Sequence, residues 1–413
     1  MRTVIVGAGP AGISAAAELA KRKPWEEIIM LSEDEFPYSR CMLHQYLSGE
    51  RKEQQLSFTE ADFMERRDIN FRGKVKVSSV DIGKNRVLTD KGPVEYDKLL
   101  LAAGAAYTLP PVPNFRNAKN VYGFRDLKDA KAIKEACISA KRVLIVGSGL
   151  VGMDVAYALL SYPLDITVVE MASRILPLQT DEVCARRYQT LFENAGIHFR
   201  LGVGASDTVM DAEDNIREVI LSDGSSVPCD VIVAAAGGRP RVSILGNADI
   251  FVNRGIQVDD YMRTSCPNVY AAGDITGLSG IWPNAMEQGR IAAVNMAGGC
   301  EAYTDRFCTK NTSNFFGLPM LSVGSVGADG DNYTVLTQET PRLYKKLILR
   351  DDYVIGALFQ GDLAGTGIWQ YLIKNKIDVS KVEKSLFQIS IADFHCFDED
   401  ARKSRLESVV KLI

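Results

Sequence analysis

Two short runs in this 413-residue chain repeat one spacing of glycines: Gly7-Ala8-Gly9-Pro10-Ala11-Gly12 and Gly147-Ser148-Gly149-Leu150-Val151-Gly152. Each follows an apolar run, "TVIV" or "RVLIV", and each opens a stretch rich in alanine and other apolar residues. In that setting the first glycine allows a tight turn and the second lets backbone approach a pyrophosphate. The third lets a helix pack close to the strand. The start of that helix offers free N–H groups and a partial positive charge to phosphates. An acid at the end of the next strand can accept from a ribose hydroxyl. Glu33 stands there after "EEIIML", and Glu170 ends "DITVVE". Glu170 lies 23 residues beyond Gly147, close to the ~20 such a unit uses. A carboxylate at that point repels a 2′-phosphate, so the second site is expected to prefer NADH to NADPH. Arg174, four residues further on, leaves some NADPH use open.

One such glycine run is weak evidence. Two copies 140 residues apart, each with strand, helix and acid, imply two dinucleotide sites. A third signal is "NVYAAGDITG", Asn268–Gly277, a short apolar strand ending in Gly273-Asp274. An acid at the carboxyl end of a parallel strand faces the ligand crevice of an open α/β sheet. Pro283 then suits the first turn of a helix, which would put Asn284 and Ala285 at a helix start. The remaining candidate is Cys41, in "FPYSRCMLHQYLSGE". Beside Arg40 at a helix start it could gain thiolate character; the alternative is a small apolar residue with no role. His44, on the same predicted helix, reads as a packing or surface residue.

These pieces resemble the FAD-dependent pyridine nucleotide–disulfide oxidoreductases: "VGAGPAG", "LLLAAGA", "VGSGLVGMDVA", "AAAGGRP" and "AAGDITG", in that family's order over residues 1–300. The resemblance implies that Gly7, Gly9, Pro10, Ala11, Gly12, Glu33, Arg40, Val77, Ala103, Gly104, Gly273, Asp274, Asn284 and Ala285 serve FAD. Asp274 would hold the ribitol, and the helix start after Trp282 would face the reduced flavin. It implies that Gly147, Gly149, Leu150, Val151, Gly152, Asp154, Glu170 and Gly237 serve NADH. Asp154 stands where the family has a glutamate near the nicotinamide. "PYSR" is similar to the branch with NADH:rubredoxin reductases, nitrite reductase flavin domains and ferredoxin reductases. The branch implies electron transfer from NADH through FAD to a protein acceptor: a rubredoxin-like protein, an iron–sulfur protein or a partner subunit. In relatives that are NADH oxidases, peroxidases or CoA-disulfide reductases, a redox cysteine falls where Cys41 stands, so a Cys41-dependent enzyme is the rival reading. A flavoprotein with mainly a binding or assembly role is a third.

The elements required to hold these residues define the expected fold: α/β, with two interleaved Rossmann-like dinucleotide-binding domains and a C-terminal α+β domain. The expected boundaries are 1–110 and 241–303 for the FAD domain, 111–240 for the NADH domain, and 304–413 for the last. In that last part "NYTVLTQET", "RLYKKLILRD" and "YVIGALFQGD" read as consecutive strands, and "GTGIWQYLIKNKI" as a helix. It is similar to the C-terminal domain of the rubredoxin-reductase branch, which implies acceptor docking or homodimer contacts. "ARKSRLESVVKLI" puts Leu406, Val409, Val410 and Ile413 on one face of a predicted amphipathic helix.

Bulk properties remove other classes. A net charge of −4 gives no basic footprint for nucleic acid. No apolar run approaches the ~20 residues that cross a bilayer. "MRTVIVGAGP" enters a strand at once, so no signal peptide is expected and the location is expected to be cytoplasmic. The eight cysteines show no C-x-x-C or C-x-x-x-x-C pair. That spacing predicts no metal site and no local redox disulfide.

Overall fold

The computed structural model describes residues 1–305, 307, 309–328, 332–398 and 403–406. Residues 2–271 hold two five-stranded parallel sheets of one plan. In the first, the strand order is Val269–Ala271, Lys98–Leu101, Arg2–Val6, Glu27–Leu31, Ile69–Arg72. In the second it is Ile197–Leu201, Asp165–Glu170, Arg142–Val146, Val231–Ala234, Val121–Gly123. The strands are buried nearly end to end: Val4, Ile5, Leu99–Leu101, Leu144, Ile145, Ile232 and Val233 are all but inaccessible. Their apolar residues therefore run continuously instead of alternating, as sheets covered on both faces require. The first sheet draws its last strand from residue 269 onward, beyond all five strands of the second. The second half-fold is thus inserted into the first.

The glycine spacing has a steric cause. Gly7 turns the chain with φ +109°, a conformation that L side chains rarely adopt. A Cβ on Gly12 would lie 1.9 Å from the Gly7 carbonyl oxygen, and Gly152 stands in the same relation to Gly147 at the same 1.9 Å. Neither third glycine can gain a side chain without pushing its helix off its strand. The helices that follow are Pro10–Arg22 and Leu150–Leu159. The first packs along Trp282–Met296.

Beyond residue 309 the chain forms a five-stranded antiparallel sheet, in the order Lys310–Phe315, Leu318–Gly324, Tyr353–Gln360, Leu343–Arg350, Tyr333–Thr340. The helix Gly367–Asn375 covers one face, with Trp369 stacked on Phe359 at 5.8 Å between ring centroids. The other face lies on the helix Glu182–Asn194 of the second half-fold. Tyr188 and Phe192 from that helix meet Phe315 at 5.2 Å each, tilted edge to face. Asp181 caps the helix by accepting from the Cys184 N–H at 3.1 Å. The same carboxylate accepts from the Tyr344 hydroxyl at 2.6 Å and from Lys346 Nζ at 3.1 Å. One acid therefore ends a helix and locks a sheet to it.

The helix expected at the end of the chain does not form over its described part. Residues Lys403–Leu406 are a strand paired antiparallel with His395–Asp398. A helix of about a dozen residues is marginal without strong tertiary packing, whereas the hairpin gives these backbone groups immediate partners. The rest of that expected helix, with Val409, Val410 and Ile413, lies outside the described residues. Among the described residues, no helix is long and apolar enough to cross a membrane.

Candidate functional site

A crevice of about 540 Å³ opens at the carboxyl end of the first sheet. Its lining begins at the glycine loop with Gly7, Gly9, Pro10 and Ala11 and passes Glu33, Arg40, Cys41, Val77, Ala103 and Gly104. It ends at Gly273, Asp274 and Ala285. The first loop opens toward this space: a Cβ on Gly9 would meet nothing within 4 Å, so a ligand can approach its backbone directly. Gly12 lies beneath the loop, where its role is packing.

Asn284 departs from expectation. It is buried and turned away from the crevice. Its Nδ2 donates to the Tyr303 hydroxyl at 3.0 Å and to the carbonyls of Asp305 and Phe307 at 3.2 and 3.1 Å. On a helix, neighbouring residues face about 100° apart, so Ala285 can line the crevice while Asn284 ties the helix to the segment leading into the C-terminal sheet.

Around Arg40 and Glu33 the crevice gathers residues that no motif announces. Arg40 donates to Asp34 at 2.8 Å and to Asp126 at 3.1 Å, and its guanidinium lies 5.0 Å over the Tyr38 ring. Asp126 also accepts from Arg241. Glu33 lies 3.3 Å from Lys128 and 3.5 Å from Arg241. Arg125 donates to the Asp274 carboxylate, while its buried Nε has no partner among the described residues. The cations and acids alternate across the gap between the two half-folds. Tyr38 completes the join, donating to Asp34 at 3.1 Å and accepting from the Leu127 N–H at 2.9 Å. Desolvation raises the Asp126 pKa, but Arg40 and Arg241 outweigh it and hold the carboxyl below its ordinary 3.8. Asp126 did leave one signal in the sequence: it begins the capping box Asp126-Leu-Lys-Asp129 at the helix Leu127–Ser139. Arg125 and Arg241 left none, because their partners lie more than a hundred residues away.

The Asp274 turn is held from below. Gln288, fully buried, accepts from the Gly273 N–H at 2.8 Å. Cys41 is the middle residue of the short 3₁₀ turn Arg40–Met42 ahead of the helix Leu43–Ser48. It keeps an exposed surface, yet the crevice walls desolvate the thiol and push its pKa up; Arg125 and Arg40 offset this only in part, against Asp154 and Asp274. The lowered pKa expected from Arg40 is therefore reversed, because desolvation outweighs the neighbouring guanidiniums.

The second glycine loop sits at the carboxyl end of the second sheet. Gly147 has φ +107°, and a Cβ on Gly149 or Gly237 would meet nothing within 4 Å. Leu150 and Val151 open the helix, Val151 with its side chain exposed. Glu170 ends its strand and turns back to the loop. Its Oε2 accepts from the Ser148 N–H at 2.8 Å and the Ser148 hydroxyl at 2.9 Å, and its Oε1 accepts from the Ala172 N–H at 2.9 Å. Asp154 lies two residues beyond Gly152, with its Oδ2 3.9 Å from His44 Nδ1. Desolvation pushes the Asp154 carboxyl up to about 7 and lowers the His44 pKa. His44 is partly exposed beside Asp154 of the second half-fold. Among the described residues, no cluster of His, Cys, Asp and Glu is suited to hold a metal.

Sequence and fold comparisons agree with this architecture. Residues 1–289 match the pyridine nucleotide-disulphide oxidoreductase family, and residues 311–377 match the rubredoxin NAD+ reductase C-terminal domain. The chain belongs to the pyridine nucleotide-disulphide oxidoreductase family, whose enzymes use FAD and a nicotinamide dinucleotide. It is 30% identical over 398 residues to the assimilatory nitrate reductase electron transfer subunit of Bacillus subtilis strain 168, covering 94% of this chain. The chain spans only about half of that subunit, 51% of its length. It is 32% identical over 301 residues to a rubredoxin-NAD(+) reductase of Alcanivorax borkumensis, covering 71% of this chain and 78% of that one. A ferredoxin reductase structure from Rhodopseudomonas palustris superposes with a TM-score of 0.77 at 26% identity, covering 87% of this chain and 91% of that one.

Proposed function

We propose that this chain is an NADH-dependent FAD oxidoreductase that passes electrons from NADH through FAD to a protein acceptor. The observation that carries the reading is the continuous crevice from the Gly7–Gly9 loop, past Glu33 and Arg40, to Asp274. It offers a ribose acceptor, a phosphate cradle and a ribitol acceptor, the groups that the three successive parts of FAD require. The two open second glycines and the unpartnered Arg125 Nε are features a bound dinucleotide would use.

In this reading Gly7, Gly9, Pro10 and Ala11 hold the FAD pyrophosphate. Glu33 takes the adenosine ribose and Asp274 the ribitol. Arg40, Val77, Ala103, Gly104, Gly273 and Ala285 line the remainder. Gly147, Gly149, Leu150, Val151, Glu170 and Gly237 hold NADH, and Gly12 and Gly152 keep the helices close. FAD, when bound, supplies two-electron acceptance from NADH and onward delivery to the acceptor. The chain's own work is orientation and electrostatics. The start of the helix Trp282–Met296 directs its N–H groups and partial positive charge into the crevice. Asp154 lies on the NADH side, where charge changes as hydride leaves the nicotinamide.

The acceptor is a protein in this reading. The names of the relatives support it: a rubredoxin reductase, a ferredoxin reductase and a nitrate reductase electron transfer subunit. The C-terminal sheet is the proposed surface for that acceptor or for a homodimer. Free, buried Cys137, Cys184 and Cys229 suit a reducing cytoplasm. Anaerobic stopped-flow mixing with NADH should bleach the FAD absorbance and transfer electrons to a rubredoxin or ferredoxin probe. Failure of NADH to reduce the bound FAD would overturn the reading.

Cys41 lines the same crevice and carries the second reading, a cysteine-dependent NADH oxidase or disulfide reductase. Its raised pKa weighs against a resting thiolate. Dithionite titration separates the two. A redox-active Cys41 takes up two further electrons per FAD in the wild type and none in Cys41→Ser. Identical titrations would exclude it.

A further inference from the structure

We propose that Ser148 and Arg174 decide which dinucleotide the second site accepts: Ser148 fixes Glu170 as a ribose acceptor, and the 174–180 turn withholds the Arg174 guanidinium from a 2′-phosphate. The inference rests on the assignment of the second glycine loop to NADH. An ionised carboxylate offers about four acceptor positions. Three are filled by the Ser148 N–H, the Ser148 hydroxyl and the Ala172 N–H. One remains, on Oε1. A ribose hydroxyl can donate to it, whereas a 2′-phosphate brings only negative charge. Ser148 is wholly buried and has no freedom to release the acid.

The arginine that could reverse this preference is turned on its own loop. Arg174 Nε donates to the Thr180 carbonyl at 3.1 Å, and a terminal N–H donates to the Pro177 carbonyl at 3.0 Å. The turn around it is tightly built. Thr180 is buried, and its hydroxyl donates to the carbonyls of Ile175 and Leu176 at 3.1 and 2.9 Å. Leu176 holds φ +49° and is also fully buried. Its N–H donates to the Ser148 carbonyl at 2.9 Å. Ser148 therefore anchors both the acid and the turn that sequesters the arginine. A guanidinium reaching for phosphate would have to abandon both carbonyls.

Two readouts test this, one of them independent of turnover. Calorimetry gives the Kd of 5′-AMP and of adenosine 2′,5′-bisphosphate; kinetics give kcat/KM for NADH and NADPH. Wild type should favour AMP and NADH. Ser148→Ala should narrow that preference by about tenfold, the scale of one hydrogen bond to a charged group, with the loss falling on the KM for NADH and not on kcat. Arg174→Ala should leave bisphosphate affinity where it was. Arg174→Gln keeps an N–H for the carbonyls and gives the same test if the alanine variant does not fold. A preference unmoved by Ser148→Ala, or weaker bisphosphate binding without Arg174, would overturn the inference. Glu170→Gln distinguishes that from failure of the site assignment: if it leaves the AMP preference intact, the second loop is not the NADH adenosine site.

Discussion

At the scale of single residues, chemistry depends on how many partners each charge already has. Among the described residues Asp154 pairs only with the weakly basic His44, and desolvation lifts its carboxyl to about 7. Hydride departure builds positive charge on a nicotinamide, and a carboxylate stabilises that charge better than a carboxylic acid. The rate of FAD reduction by NADH should therefore rise as pH increases through 7, and Asp154→Asn should flatten that step. A profile identical in wild type and variant would remove Asp154 from the hydride step. Asp126 has the opposite character. Arg40 and Arg241 hold its pKa below 3.8, so its contribution to stability is complete above that value and is lost as pH falls through the lower folded pKa. Asp126→Asn leaves two guanidiniums short of a partner and should destabilise by about 3–5 kcal/mol, the cost of breaking a largely buried pair. The loss should be full at pH 7 and shrink on acidification, as urea midpoints measured across pH would record.

At the scale of elements, the contact between the helix Glu182–Asn194 and the C-terminal sheet combines apolar packing with polar bonds. Phe192 is fully buried and meets Tyr157, Phe199, Phe315 and Phe316 edge to face. Phe192→Ala should cost about 3–5 kcal/mol, as for other buried aromatics. Asp181→Ala removes a helix cap, worth about 1 kcal/mol. It also strips Tyr344 of its acceptor and leaves the largely buried Lys346 with the Val326 carbonyl, adding about 1–3 kcal/mol. Urea denaturation of the whole chain checks both. An Asp181→Ala loss no larger than that of an ordinary cap would show that its bonds to Tyr344 and Lys346 add nothing to the docking.

At the scale of the whole molecule, two sheets of one plan are joined by a crevice whose walls come from both. Arg40, Asp34 and Glu33 belong to the first half-fold, and Asp126 and Lys128 to the second. A ligand filling the crevice bridges the halves and binds only the folded chain. At FAD concentrations of 100 times Kd, it should add about 2.7 kcal/mol. The thermal midpoint of the apoprotein should climb with added FAD and keep climbing logarithmically. A midpoint indifferent to FAD would mean that the crevice does not take it.

The sequence by itself determined the two glycine loops, the acids at their strand ends, the strands on either side and the parallel sheets they imply. Those features are local: a turn needing φ near +107°, or a Cβ that would strike a carbonyl at 1.9 Å, is written in a handful of neighbouring residues. The three strands between 333 and 360 were legible for the same reason. Only the tertiary structure decided what the side chains of separated segments do to one another. Arg125 and Asp274 are 149 residues apart and Arg241 and Asp126 115, so no spacing rule connects them. The structure turned Asn284 from the crevice, raised the Cys41 thiol where its arginine neighbour suggested the reverse, and tied Arg174 to its own loop. In each case the deciding partner was a burial environment or a carbonyl that exists only once the chain has closed on itself.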